Sequence, residues 1–316
     1  MKTCICTSLL AVLLLAASVL GQQNTRTVAI TIDDLPVVST RTDIKNRAEI
    51  TKKLLRHITD AGIPVIGFVN ENKLYTNGQR DDAQVDLIRM WLDAGLQLGN
   101  HTYSHRSLHN IGLEEYEADI LKGETITNEL LAAKKQKLRY FRHPYLQSGT
   151  SMEVKYGLDA FLKEHDYTIA PVTIDDADYI FSNAYDKSFD RGDKTSMKQV
   201  GEAYVPYMEK KVEYWEQQSD KLFGRQMSQI LLIHANFINS DYLDDLIRMF
   251  RRRGYRFVDL EAALKDEAYR LPDTYTGPAG ISWLHRWARK KGREFIVGGE
   301  PTVPEFVLKL SDFKSE

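Results

Sequence analysis

The run Thr27-Val28-Ala29-Ile30-Thr31-Ile32-Asp33-Asp34 reads as a buried strand that closes on two adjacent carboxylates. Such a pair is self-repelling and costly to desolvate unless a cation lies beside it. One Asp can then ligate the cation while the other stays off it as a general base for the attacking water. Further along, Gly99-Asn100-His101-Thr102-Tyr103-Ser104-His105 follows the apolar run 96–98 and carries two histidines four residues apart. On a helical turn, i and i+4 share one face. Two neutral imidazoles so placed can hold one divalent cation and leave positions for a carboxylate and for water.

Three more clusters complete an ordered set. Arg142-His143-Pro144-Tyr145, Asp175-Asp176-Ala177-Asp178-Tyr179 and Leu232-Ile233-His234 each follow or end an apolar run. Together with Thr31-Ile32-Asp33-Asp34-Leu35 and His101-Thr102-Tyr103-Ser104-His105, they resemble the five motifs of the polysaccharide deacetylases built on the NodB-homology domain. Five in order are far more specific than any one of them. The residue after His101 is Thr rather than Glu, which argues against a His-Glu-x-x-His metalloprotease.

The resemblance implies roles. Asp34, His101 and His105 would hold a divalent metal, zinc first and cobalt or nickel as alternatives. Asp33 would be the general base, with Arg142 pairing with it and lowering its pKa. The backbone N–H of Tyr145 would stabilise the oxyanion. His234 would be the general acid, and Asp175 the nearby carboxylate that keeps its imidazole protonated. Leu232 would line a pocket for the acetyl methyl, a role no better supported than plain core, and Tyr179 would contact substrate. His109 is expected at the surface or beside the site; His57, His143, His165 and His285 have no role. Leu35 and Leu146 stand where the family usually has Gly, Tyr179 where Trp is usual, and Ala235-Asn236 follow His234 in place of Asp. These departures bear on the substrate groove more than on catalysis.

Outward from the motifs, strand-like runs at 28–32, 64–69, 96–98, 138–141, 168–174, 230–233 and 255–258 alternate with helical patterns at 43–60, 83–94, 113–133, 153–163, 199–221 and 241–252, and 182–198 reads as a long surface loop. The five polar clusters fall at C-terminal strand ends, where a β/α barrel gathers its site. The fold class is therefore α/β. Seven strands suit the distorted, incomplete (β/α)7 barrel that the resemblance implies, although periodicity alone is equally compatible with an open doubly wound sheet. We divide the chain into 1–21, 22–267 for the barrel, and 268–316, a C-terminal extension expected to pack on the barrel through Trp283, Trp287 and Phe295.

Residues 1–21 read as a secretory signal: Lys2, an apolar stretch over 9–20, and small-residue cleavage before Gln22. Both cysteines, Cys4 and Cys6, fall inside it, so no disulfide is expected in the mature chain. The stretch is short for a membrane span, and a secreted or periplasmic location is expected. Charges nearly cancel, at a formal −2 over 316 residues, giving no electrostatic reason to expect nucleic acid. The expectation is a secreted, metal-dependent deacetylase acting on the N-acetyl groups of N-acetylglucosamine-containing glycans, chitin oligomers or peptidoglycan. The alternatives are an O-acetyl xylan esterase, a non-sugar amide hydrolase on the same site, or a glycan-binding protein without catalysis.

Overall fold

The computed structural model describes residues 26–293 and 298–316. The expected signal peptide, both cysteines and Phe295 lie outside them. No helix among the described residues is long and apolar enough to cross a membrane.

Strand β1 (Arg26–Leu35) is buried on both faces from Val28 to Asp33, which requires cover above and below the sheet. Helix α1 (Ile44–Ala61) supplies part of it. Asp43 caps its first turn by accepting from the Asn46 N–H, and Gly62 ends it in the left-handed conformation (φ 63°). Its stripe of Ile50, Leu54, Leu55 and Ile58 is buried, each side chain contributing about 1.5–3 kcal/mol. After β2 (Val65–Val69) comes a 3-10 turn, Glu71–Leu74, then a hairpin of β3 (Tyr75–Thr76) and β4 (Gln79–Arg80) closed by Asn77-Gly78, both at positive φ. Helix α2 (Asp82–Asp93) and β5 (Gln97–Asn100) lead to the histidines. There follow α3 (Leu113–Lys122), α4 (Thr125–Ala133), β6 (Tyr140–Phe141), α5 (Met152–Glu164), β7 (Thr168–Ile169), α6 (Asp178–Asp190), α7 (Lys194–Phe223), β8 (Gln229–His234), α8 (Phe237–Arg252), β9 (Tyr255–Phe257), α9 (Leu260–Ala263), α10 (Trp283–Lys290) and α11 (Glu305–Leu310).

The sheet order is β7-β6-β5-β2-β1-β8, every pairing parallel, with β9 against the first residues of β1. The sheet curls into an incomplete barrel. The chain after β7 leaves β6 at Pro171, which has no N–H to give a ladder, and reaches β8 at Ile174, which bridges Leu231. Along this seam the C-terminal segment supplies the missing partners: Trp283 N donates to the Val172 carbonyl (2.8 Å) and Ser282 Oγ to that of Thr173 (2.9 Å).

Two expectations change. The helix predicted over 113–133 is broken at Gly123, where an added Cβ would come within 2.5 Å of the Thr102–Tyr103 backbone. The loop predicted over 182–198 is the end of α6 and the start of α7. Its polar residues looked solvated, but Asp186 is buried and accepts from Ser39 Oγ and Thr40 N, while Phe181, Ala184, Tyr185 and Ser188 face the core.

Candidate metal centre and acid–base pair

Successive strand residues point to opposite faces, so Asp33 and Asp34 share a site only because the backbone departs from β geometry. It does so at Asp34, which has φ 70°. The histidines likewise do not lie on the helical turn expected for them. His101 to Arg106 is a loop with Thr102 at φ 64° and His105 at φ 55°, yet the two rings end with centroids 4.8 Å apart. Side chains fix that loop. Asn100 accepts from Thr102 N (2.7 Å), Asn70 Nδ2 donates to the His101 carbonyl (2.6 Å), and Asp119 accepts from the N–H and hydroxyl of Ser104 (3.0 and 2.8 Å). Of the eight non-glycine residues at positive φ among those described, five (Asp34, Thr102, His105, Tyr145 and Leu146) belong to the motif loops. Backbone of this kind persists only where its surroundings over-determine it.

Asp34, His101 and His105 offer one ligand atom each, all within 4.8 Å of one another. Their chemistry fits a divalent cation. Burial drives the two imidazoles down, to about 3 and about 4, so both are neutral. His101 donates from Nδ1 to the Arg142 carbonyl (2.8 Å), which leaves the lone pair on Nε2. The Asp34 carboxyl is pushed up by burial but more strongly held down by Lys73 and His105, and stays ionised.

Arg142, fully buried, donates through Nη1 to both oxygens of Asp33 (3.2 and 3.4 Å), through Nη2 to Thr31 Oγ1 (2.9 Å) and through Nε to the Ala170 carbonyl (2.8 Å). Arg142 does pull Asp33 down, as expected, but does not leave it lowered. Burial pushes that carboxyl up, and Arg142 and His234 offset this only in part, so the net shift is upward.

The expected partner of His234 is also corrected. Asp178, not Asp175, accepts from His234 Nδ1 at 2.6 Å. The other oxygen of Asp178 accepts from His234 N (2.8 Å), Asn236 Nδ2 (3.0 Å) and Asn239 Nδ2 (2.6 Å). Burial pulls the imidazole down, but Asp178 outweighs it and raises it to about 10. Asp175 has its own surroundings: burial, partly offset by Lys211, pushes it up to about 6, and its carbonyl accepts from Trp215 Nε1 (2.8 Å). The motif contained both acids, and only the contacts made in the folded chain distinguish them.

Tyr145 is 57% exposed, with its ring 4.6 Å from that of His105. Tyr179 lies 6.4 Å from the His234 ring and 5.1 Å from Phe313. Leu232 is buried beside Thr31 on β8. His109 is away from the ligand trio and bridges the Pro278 carbonyl (3.1 Å) and Gly149 N (3.2 Å). Sequence reading missed Asp178, Asn236, Asn239 and Lys73. Lys73 lies outside every motif and carried no signal.

Residues 21–161 match the family model for polysaccharide deacetylase. A peptidoglycan-N-acetylglucosamine deacetylase of Bacillus cereus is 28% identical over 125 residues, 40% of this chain, and the chain spans 38% of that relative's length. Among solved structures, a mutant of a CE4 family pseudoenzyme from Bacillus anthracis, with restored enzymatic activity, is 18% identical, with a TM-score of 0.53 over 77% of this chain and 68% of that one. At that identity the likeness speaks for the fold alone.

Proposed function

We propose, from the polysaccharide deacetylase domain that residues 21–161 carry, that this chain is a secreted, metal-dependent hydrolase removing N-acetyl groups from N-acetylglucosamine-containing glycans. Peptidoglycan is the first substrate to test, given the name of the Bacillus cereus relative. The observation that carries the reading is the register of β1 and β8. It pairs Asp33 with His234, each held by its own partner, Arg142 and Asp178, beside the Asp34-His101-His105 trio.

A divalent cation held by that trio, zinc first, would supply Lewis-acid polarisation of the acetyl carbonyl and the attacking water. Asp33 takes the proton from the water as it attacks, its raised affinity suiting a base that works nearer neutrality. Arg142 fixes the orientation of Asp33. The backbone N–H of Tyr145 donates to the carbonyl oxygen as charge develops there. His234, with Nδ1 committed to Asp178, gives the proton on Nε2 to the leaving nitrogen. The amine and acetate then depart.

Acetate release from peptidoglycan, chitooligosaccharides and acetylated xylan, before and after chelation and zinc restoration, tests this reading. Chelator-sensitive release from an N-acetylated glycan is expected, with Asp33→Asn inactive but still able to bind metal. Release from xylan alone, or from none of the three by metal-loaded protein, would overturn it.

A further inference from the structure

Lys73 takes no part in the chemistry above, yet its ammonium lies 3.2 Å from Oδ1 of Asp34 and 2.9 Å from the Asp34 backbone carbonyl. That Oδ1 is also the oxygen nearest His105 Nε2, at 3.7 Å. The turn that carries Lys73 is fastened to the site from both sides. The carboxylate of Glu71, fully buried, accepts from the Ile126 and Thr127 N–H groups at the start of α4 (3.1 and 2.6 Å). On the histidine side, Asn72 N donates to the Tyr103 carbonyl (3.0 Å) and Asn70 Nδ2 to that of His101 (2.6 Å). Lys73 is therefore aimed by the same backbone that positions the histidines.

The charges around it balance. Asp33 and Asp34 face Arg142 and Lys73, while the carboxylate of Asp178 is matched by the imidazolium of His234. Buried carboxylates that would otherwise repel are already compensated, and an incoming dication meets an ammonium on Asp34, the carboxylate of the trio.

We propose that Lys73 is a built-in competitor for Asp34: it holds the metal-free site together and weakens divalent-cation binding, so that the cation exchanges rather than being locked in. This rests on the reading of Asp34, His101 and His105 as metal ligands.

The test is a zinc titration of the full chain against a chromophoric chelator at neutral pH, for wild type, Lys73→Met, Lys73→Gln, Lys73→Arg and Asp34→Ala, with thermal melts of each in the absence and presence of zinc. Lys73→Met and Lys73→Gln should bind zinc at least tenfold tighter than wild type, and Lys73→Arg should stay close to it. Metal-free Lys73→Met should melt below metal-free wild type yet gain more from zinc. Equal or weaker zinc binding in both neutral variants, with wild-type binding still lost in Asp34→Ala, would overturn the role of Lys73 alone. Zinc binding that is absent from every variant, or indifferent to Asp34→Ala, would overturn the ligand reading and this proposal with it.

Discussion

Asp178 shows how a single side chain sets the working range of the site. His234 is desolvated, which alone would drive its proton off below the ordinary 6.5, and Asp178 raises it to about 10 instead. A proton donor must be charged at the start of its step, so the alkaline limb of the pH–rate profile should fall toward pH 10 in the wild type. Asp178→Asn removes the largest influence opposing burial and leaves only the weaker pull of Asp34 and Asp33. We expect its alkaline limb to move down by at least two pH units, measured as kcat/KM across pH 5 to 10; an unmoved limb would dissociate His234 from the proton transfer. The sign for stability is the same. Because the folded-state value is raised, the stabilisation from the pair is complete below pH 6.5 and is lost as pH rises through about 10. The four donors that converge on Asp178 come from His234, Asn236 and Asn239. That convergence could not be seen in a motif containing three aspartates.

At the scale of elements, the histidine loop depends on a helix that breaks. The periodicity over 113–133 supports one continuous helix, and Gly123 alone does not contradict it, since an isolated glycine costs a helix only about 1 kcal/mol. The reason for the glycine is its neighbour. The backbone of Thr102 and Tyr103 passes where a side chain would be, and Asp119 at the end of α3 holds Ser104. Gly123→Ala should therefore cost about 1–3 kcal/mol by overpacking and also weaken metal binding, whereas an ordinary glycine-to-alanine change within a helix is stabilising. Urea denaturation and a zinc titration would check this, and a stabilised variant with unchanged affinity would refute it. The histidine spacing itself was legible, but the local geometry was not: the two rings converge through left-handed residues held by Asn70, Asn100 and Asp119.

In the whole molecule, the C-terminal segment closes what the sheet leaves open. Trp283 and Ser282 partner the seam between β7 and β8, and Gly280 lies so close to the Tyr145 carbonyl that an added Cβ would come within 1.7 Å of it. Behind that loop, Asp273 binds two buried cations, Lys155 (2.7 Å) and Arg286 (2.5 Å), and Arg286 also donates to the Leu146 carbonyl. Asp273→Ala removes the carboxylate that both cations bind directly and should destabilise the protein by about 3–5 kcal/mol, read from chemical denaturation. Because the Tyr145 loop then loses its backing, turnover should fall further than zinc affinity. A variant as stable as wild type would mean that the charges are satisfied by solvent.

By itself the sequence determined the alternation of strands and helices, the parallel α/β class and the identity of the residues at the strand ends, because periodicity and side-chain chemistry are local properties. Tertiary structure alone decided which carboxylate meets His234, that burial outweighs Arg142 in tuning Asp33, and that Lys73 reaches Asp34. Each of these depends on distances between segments remote in the chain and on how much water they exclude. Hydrogen-bond geometry and desolvation are set by packing, and no window of sequence contains them.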